Sequence, residues 1–194
     1  MNDTQMFAFE SDFVASLRCV PMAVRLKLDL CGIKLFLRQW SRFTREDRYA
    51  LLMRRCGDSG EIAAYREALT TLIGERTGEI ARLLTDAPCG QWDIAERAAA
   101  AVTGYAWSLG LSPPSARQWA ALSRLQRFAL IKLTRDNHDN VNFAPAMREF
   151  GLVAEAGSGQ RDRRSASRWL SPARSSAVIR SRARGRTTAF SSAR

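Results

Sequence analysis

The sequence predicts an all-α fold: a compact helical domain over residues 1–152 with two similar helix–turn–helix corners, then a disordered tail over residues 153–194. Three observations carry that prediction. Apolar residues recur at three- and four-residue spacings between capping signals. A fifteen-residue stretch occurs twice. No segment shows a sustained β-branched, period-two pattern bounded by hairpin turns.

Phe7 to Phe13 alternates apolar with small or polar residues and is expected to form an extended lead-in. Pro21 fits a first helical position, where its missing N–H costs nothing. Val24, Leu28 and Cys31 then fall on one face, and Gly32 can turn left-handed to end the helix. Arg25 and Asp29 stand four apart on it, the spacing of a surface ion pair. Further on, Asp58 and Glu61 form a capping-box pattern ahead of Ile62, Tyr65, Leu69, Leu72 and Ile73, and Gly78 closes the segment. Residues 85–90 read as a loop. Asp93 is expected to open another helix with the stripe Ile94, Ala98, Val102, Tyr105 and Leu109, stopped by Gly110. Ser112-Pro113-Pro114 is a second break.

The duplicated stretch runs from Arg38 to Leu52 and again, 79 positions later, from Arg117 to Ile131, with seven of fifteen residues identical. Each copy holds a tryptophan (Trp40, Trp119), then a Thr or Ser N-cap, then Asp47 or Gln126 three residues on to close a capping box. The period is too long and too rarely repeated for a solenoid. Two matching corners that bury their tryptophans are the expected structure.

The net charge of +11 is concentrated in the tail. Residues 153–194 hold ten arginines against Glu155 and Asp162, a net +8, which leaves +3 for residues 1–152. An Arg/Ser/Ala-rich stretch of this kind cannot bury enough apolar surface to offset its chain entropy. Its arginines could neutralise phosphates, which makes a nucleic-acid-binding helical protein an alternative reading that rests on the tail alone. The competing reading is an incidental tail, of the composition that out-of-frame reading of a GC-rich gene gives.

Composition also excludes function classes. No run reaches the roughly 18 apolar residues a membrane helix needs. The first residues carry no secretory-signal pattern, so a cytoplasmic protein is expected. No phosphate-binding glycine loop, dinucleotide fingerprint or nucleophile elbow occurs, and no enzyme activity or cofactor is expected. Cys19, Cys31, Cys56 and Cys89 include no close pair of the zinc or redox type, and reduced, mostly buried thiols are expected. A Cys-based metal or cluster carrier using Cys19 and Cys31 is a third reading. The single histidine, His138, lies in a polar stretch from Thr134 to Asn142 that reads either as a turn or as a recognition loop.

Leu17-Arg18-Cys19-Val20-Pro21-Met22, then Arg25, Lys27-Leu28-Asp29 and Cys31-Gly32-Ile33-Lys34-Leu35, resemble the opening motif of the nitrate reductase associated protein family. Leu125 to Leu133 resembles its second motif, and Asn142-Phe143, Pro145-Ala146 and Glu149 to Leu152 its last. The resemblance spans about Phe7 to Leu152 and implies an accessory, maturation or binding partner of a cytoplasmic assimilatory nitrate reductase, a molybdenum and iron–sulfur enzyme. Motif residues that packing does not require are the expected partner surface: Arg25, Lys27, Asp29, Arg127, Lys132, His138 and Asn142. Trp40, Trp119, Pro21 and Gly32 are expected to be structural, and no metal ligands are expected.

Overall fold

Pro21 and Gly32 bracket the first helix, α1 (Met22–Cys31). Pro21 stands one place earlier than its missing N–H suggests, as the N-cap residue. The cap itself comes from upstream, where Glu10 Oε1 accepts the Met22 N–H at 2.8 Å. Gly32 holds φ at +70°, a conformation that costs a side chain with a Cβ. The computed structural model describes residues 4–11, 17–84, 90–135 and 141–153. His138, Cys89 and the tail from residue 154 lie outside them. All described residues belong to the unit Met1–Gly157, the first of two into which the chain divides.

Eight α-helices follow one another among the described residues. After α1 come α2 (Leu37–Arg42), α3 (Arg45–Met53), α4 (Ser59–Thr77), α5 (Ala100–Ser108), α6 (Ala116–Ala121), α7 (Arg124–Leu133) and α8 (Phe143–Glu149). A small antiparallel ladder, absent from the sequence expectation, pairs β1 (Ile33–Lys34) with β2 (Arg82–Leu83). At two residues per strand it is too short to write a period-two pattern. The fold remains mostly helical.

α1 and α7 are the two central helices: α1 packs against α4 and α7, and α7 against α8. Both are buried around most of their circumference, which a helix achieves only with neighbours on several sides.

The lead-in is not extended. Ala8–Glu10 is a 3-10 turn whose Ala8 and Phe9 N–H groups donate to Glu149 Oε1 and Oε2 at 2.8 and 3.1 Å. Phe7 packs edge-on to Phe150 at 4.9 Å, so the two ends of the folded region close on each other. Carboxylates at hand for its backbone donors, together with burial of Phe7, outweigh the weak alternation of the segment.

The helix expected from Asp93 starts later. Gln91–Asp93 is a 3-10 turn and α5 begins at Ala100, with Ala99 as an N-cap that offers no side-chain acceptor. Trp92 is buried edge-on against Phe128, and Asp93 is drawn to Arg124 at 2.6 Å, so neither continues into a helix. The Asp58–Glu61 box closes on one side only. Asp58 Oδ1 accepts the Glu61 N–H, whereas the Glu61 carboxylate takes the Gly57 N–H and Arg55.

The repeat folds as two matching corners, α2–α3 and α6–α7. Trp40 and Trp119 are both fully buried, and each indole N–H donates at 2.8 Å to a loop carbonyl, that of Leu17 and that of Ile94. Thr44 with Asp47, and Ser123 with Gln126, form the expected capping boxes. Gln39 and Gln118 occupy equivalent positions and also do equivalent work. Each accepts the backbone N–H three residues before it, and each sends its amide N–H to a distant acceptor, Glu79 in one corner and the Leu152 carbonyl in the other.

Candidate functional site

Arg25 and Asp29 lie one turn apart on α1, and Lys132 lies in the last turn of α7. The packing of α1 on α7 brings these three together. Lys132 Nζ stands 2.6 Å from Asp29 Oδ2, with both side chains largely shielded (13% and 8% exposed). Arg25 Nε donates to the Val20 carbonyl at 2.9 Å, which fixes the root of its guanidinium. Burial lowers the Lys132 pKa, Asp29 works against that, and Arg135 and Arg25 lower it further.

These residues line one recess of about 190 Å³ between α1, β1 and the end of α7. Lys34 from β1 and Arg135 from beyond α7 complete its charged wall, with Leu35 and Leu84 as apolar sides. Both added residues are exposed. Lys34 pairs in register with Arg82 and lies over the Phe36 ring together with Arg38 and Arg82, and Arg38 is itself paired with Glu79 at 3.0 Å. Leu37 and Leu83 are exposed beside it at 61% and 68%.

Lys27 and Arg127 do not belong to a partner surface, because both are buried (1% and 7% exposed). Lys27 Nζ donates to the Leu52 and Arg54 carbonyls and so binds the end of α3 to α1. Arg127 donates to the carbonyls of Trp92 and Leu122, which ties the α6–α7 corner to the loop before it. Its repeat counterpart Arg48 does the same in the first corner, donating to the carbonyls of Trp40, Ser41 and Leu17. The repeat alignment held that signal: an arginine at the same place in both corners points to the corner's own construction. Asn142 stands half-exposed as the N-cap residue of α8 and does not line the recess. His138 lies outside the described residues. Lys34 was legible as part of the opening motif, and Arg135 only as a member of the polar stretch from Thr134 to Asn142 that reads as a turn or a recognition loop.

Cys19 is exposed, while Cys31 and Cys56 are buried. Burial raises the thiol pKa of both, that of Cys56 to about 12. Among the described residues no three His, Cys, Asp or Glu side chains gather as metal ligands would, and no helix is long and apolar enough to cross a membrane.

A family model described as conserved nitrate reductase-associated protein matches residues 6–150. Those limits coincide with the Phe7–Phe150 contact that closes the folded region. No curated protein and no solved structure matches the chain.

Proposed function

This chain belongs to the conserved nitrate reductase-associated protein family, and from that premise we propose that it is a non-catalytic accessory partner of a cytoplasmic assimilatory nitrate reductase, needed for maturation or activity of the enzyme. The observation that carries the reading is the gathering of Arg25, Asp29 and Lys132, from two separate motifs, at one basic recess. Charge shared between motifs distant in sequence is what a binding face needs, whereas core packing needs apolar side chains there. The absence of a recognisable nucleophile, phosphate loop or dinucleotide motif in the sequence supports a binding role over a catalytic one.

The contact face comprises the exposed cations Lys34 and Arg135 at the recess, with Arg82 beside them. Exposed charges at an interface rim set orientation and on-rate, so their reversal should impair association while leaving the fold intact. The test is complementation of nitrate reductase activity in a host lacking its own copy of this protein. Lys34→Glu with Arg135→Glu is expected to fold normally by circular dichroism and to fail in restoring activity. Full complementation by that variant would sink the assigned face, and failure of the wild-type protein would sink the accessory role.

A further inference from the structure

We propose that the groove between α3 and α4 is a docking site for a basic amphipathic helix of a partner protein. The two helices run antiparallel. They are tied by the Asp47–Arg76 ion pair at 2.7 Å and by the Tyr65 hydroxyl, which donates to the Leu51 carbonyl at 3.3 Å. Ala50 on α3, with Ala64 and Ala68 on α4, leaves an open groove of about 490 Å³ that has Leu51 and Leu72 in its base. Met53, three residues beyond Ala50 and 47% exposed, extends the apolar surface along the α3 lip. The groove shares no lining residue with the recess at Asp29 and Lys132.

The repeat indicates what covers such a face. Ala50 and Arg54 of α3 correspond, 79 positions on, to Ala129 and Leu133 of α7. Ala129 and Leu133 are fully buried, and α7 packs against α1, α5 and α8 as well as the 3-10 turn Gln91–Asp93. Ala50 and Arg54 are exposed, and α3 packs chiefly against α1. One copy of the corner helix has helices of its own chain around it. The other keeps the equivalent face open to a helix from outside, and Arg54 in the place of a leucine keeps that face soluble while it is empty.

Charge selects the occupant. Glu67 and Glu75 are exposed on the α4 rim with Thr71 midway between them, a row at i, i+4 and i+8 along one side of the helix. Residues 45–77 build both walls and are all described, and neither glutamate forms an ion pair among the described residues. Of the other two charges at the groove, Asp47 is held by Arg76, and Arg54 stands on the opposite lip. Lysines or arginines of the occupant therefore pair along the α4 rim, while its apolar side chains at i, i+3 or i+4, and i+7 enter over the alanines. From Ala64 to Glu75 the groove runs about 16 Å along α4, about three turns of an occupant helix.

The inference does not rest on the reductase reading and is tested on the full chain alone. The probe is a fluorescein-labelled peptide of about 18 residues, long enough to hold a helix, with leucines at i, i+3, i+4 and i+7 and lysines elsewhere. Fluorescence anisotropy is expected to show saturable binding, about fivefold or more tighter than that of the same peptide with glutamine for lysine. Ala64→Arg puts bulk and positive charge into the groove at an exposed position. It should weaken binding about tenfold or more and leave the melting temperature unchanged. Should that variant fold poorly, Glu67→Gln/Glu75→Gln serves, with about fivefold weaker binding and a flatter salt dependence expected. No saturable binding, equal binding of the glutamine peptide, or less than about threefold weakening in the variant used overturns the proposal. A wild-type dimer in sedimentation velocity that Ala64→Arg disrupts would mean that a second copy of this chain fills the groove, and would overturn it as well.

Discussion

Lys132 Nζ lies 2.6 Å from Asp29 Oδ2 and joins the last turns of two helices from opposite ends of the folded region. Asp29 stands at the wrong end of its own helix for the backbone dipole, so the cation from α7 offsets an intrinsically unfavourable placement. The pair is largely shielded, and each partner is costly without the other.

Removing one side of that pair should therefore cost more than removing both. Lys132→Met is expected to destabilise by about 2–3 kcal/mol because Asp29 is left shielded and uncompensated, and Asp29→Leu/Lys132→Met to recover most of it. Urea denaturation of the single and double variants measures this. Additive losses would show that the two residues do not act as a pair.

The two corners predict matched losses. Trp40→Ala and Trp119→Ala should each cost about 3–5 kcal/mol by cavity formation. Arg127→Ala should cost about 2 kcal/mol, since two carbonyls lose a buried charged donor. Arg48→Ala should cost less, its side chain being only half-buried. Equal melting temperatures for wild type and Arg127→Ala would contradict the structural role given to that arginine.

Acid sensitivity should trace to Asp47. The Arg76 guanidinium, at 2.7 Å, holds its carboxyl below the ordinary 3.8, and the Thr44 N–H helps. A depressed folded-state pKa contributes stability that is present above the unfolded value and lost as pH falls through the folded one. Asp47→Asn should thus be less stable than wild type at neutral pH, with the gap closing below about pH 4. A gap that stays constant down to pH 2 in thermal melts would rule this out.

Thiol reactivity should separate the cysteines. In a Cys89→Ser background, iodoacetamide at pH 8 should label Cys19 promptly in the folded protein, while Cys31 and Cys56 react only after unfolding. Burial keeps both of the latter protonated, with the Cys56 thiol pushed up to about 12. Mass spectrometry of the labelled peptides gives the result, and rapid native labelling of Cys56 would contradict its burial.

Much of the fold was written locally. The Thr44–Asp47 and Ser123–Gln126 boxes and the left-handed stops at Gly32 and Gly78 follow from residues within one turn of each other, and the two buried tryptophans were legible from the repeat. The sequence alone also determined the family, since three motifs in order are a local property. It misjudged Asp93, because a carboxylate suited to start a helix was taken by Arg124, a partner 31 positions away. It misjudged Lys27 and Arg127 for the same reason: long basic side chains are usually solvated, and only carbonyls delivered by another segment make their burial favourable.

Tertiary structure alone decided the recess. The sequence placed Arg25 and Asp29 on one helix and Lys132 on another, yet nothing local says that α1 lies against α7, or that Lys34 and Arg135 arrive beside them. Helix formation and capping depend on neighbours in the chain, and those a sequence states directly. Electrostatic sites depend on which helix ends converge, and that is settled by burial of apolar faces shared across the whole folded region.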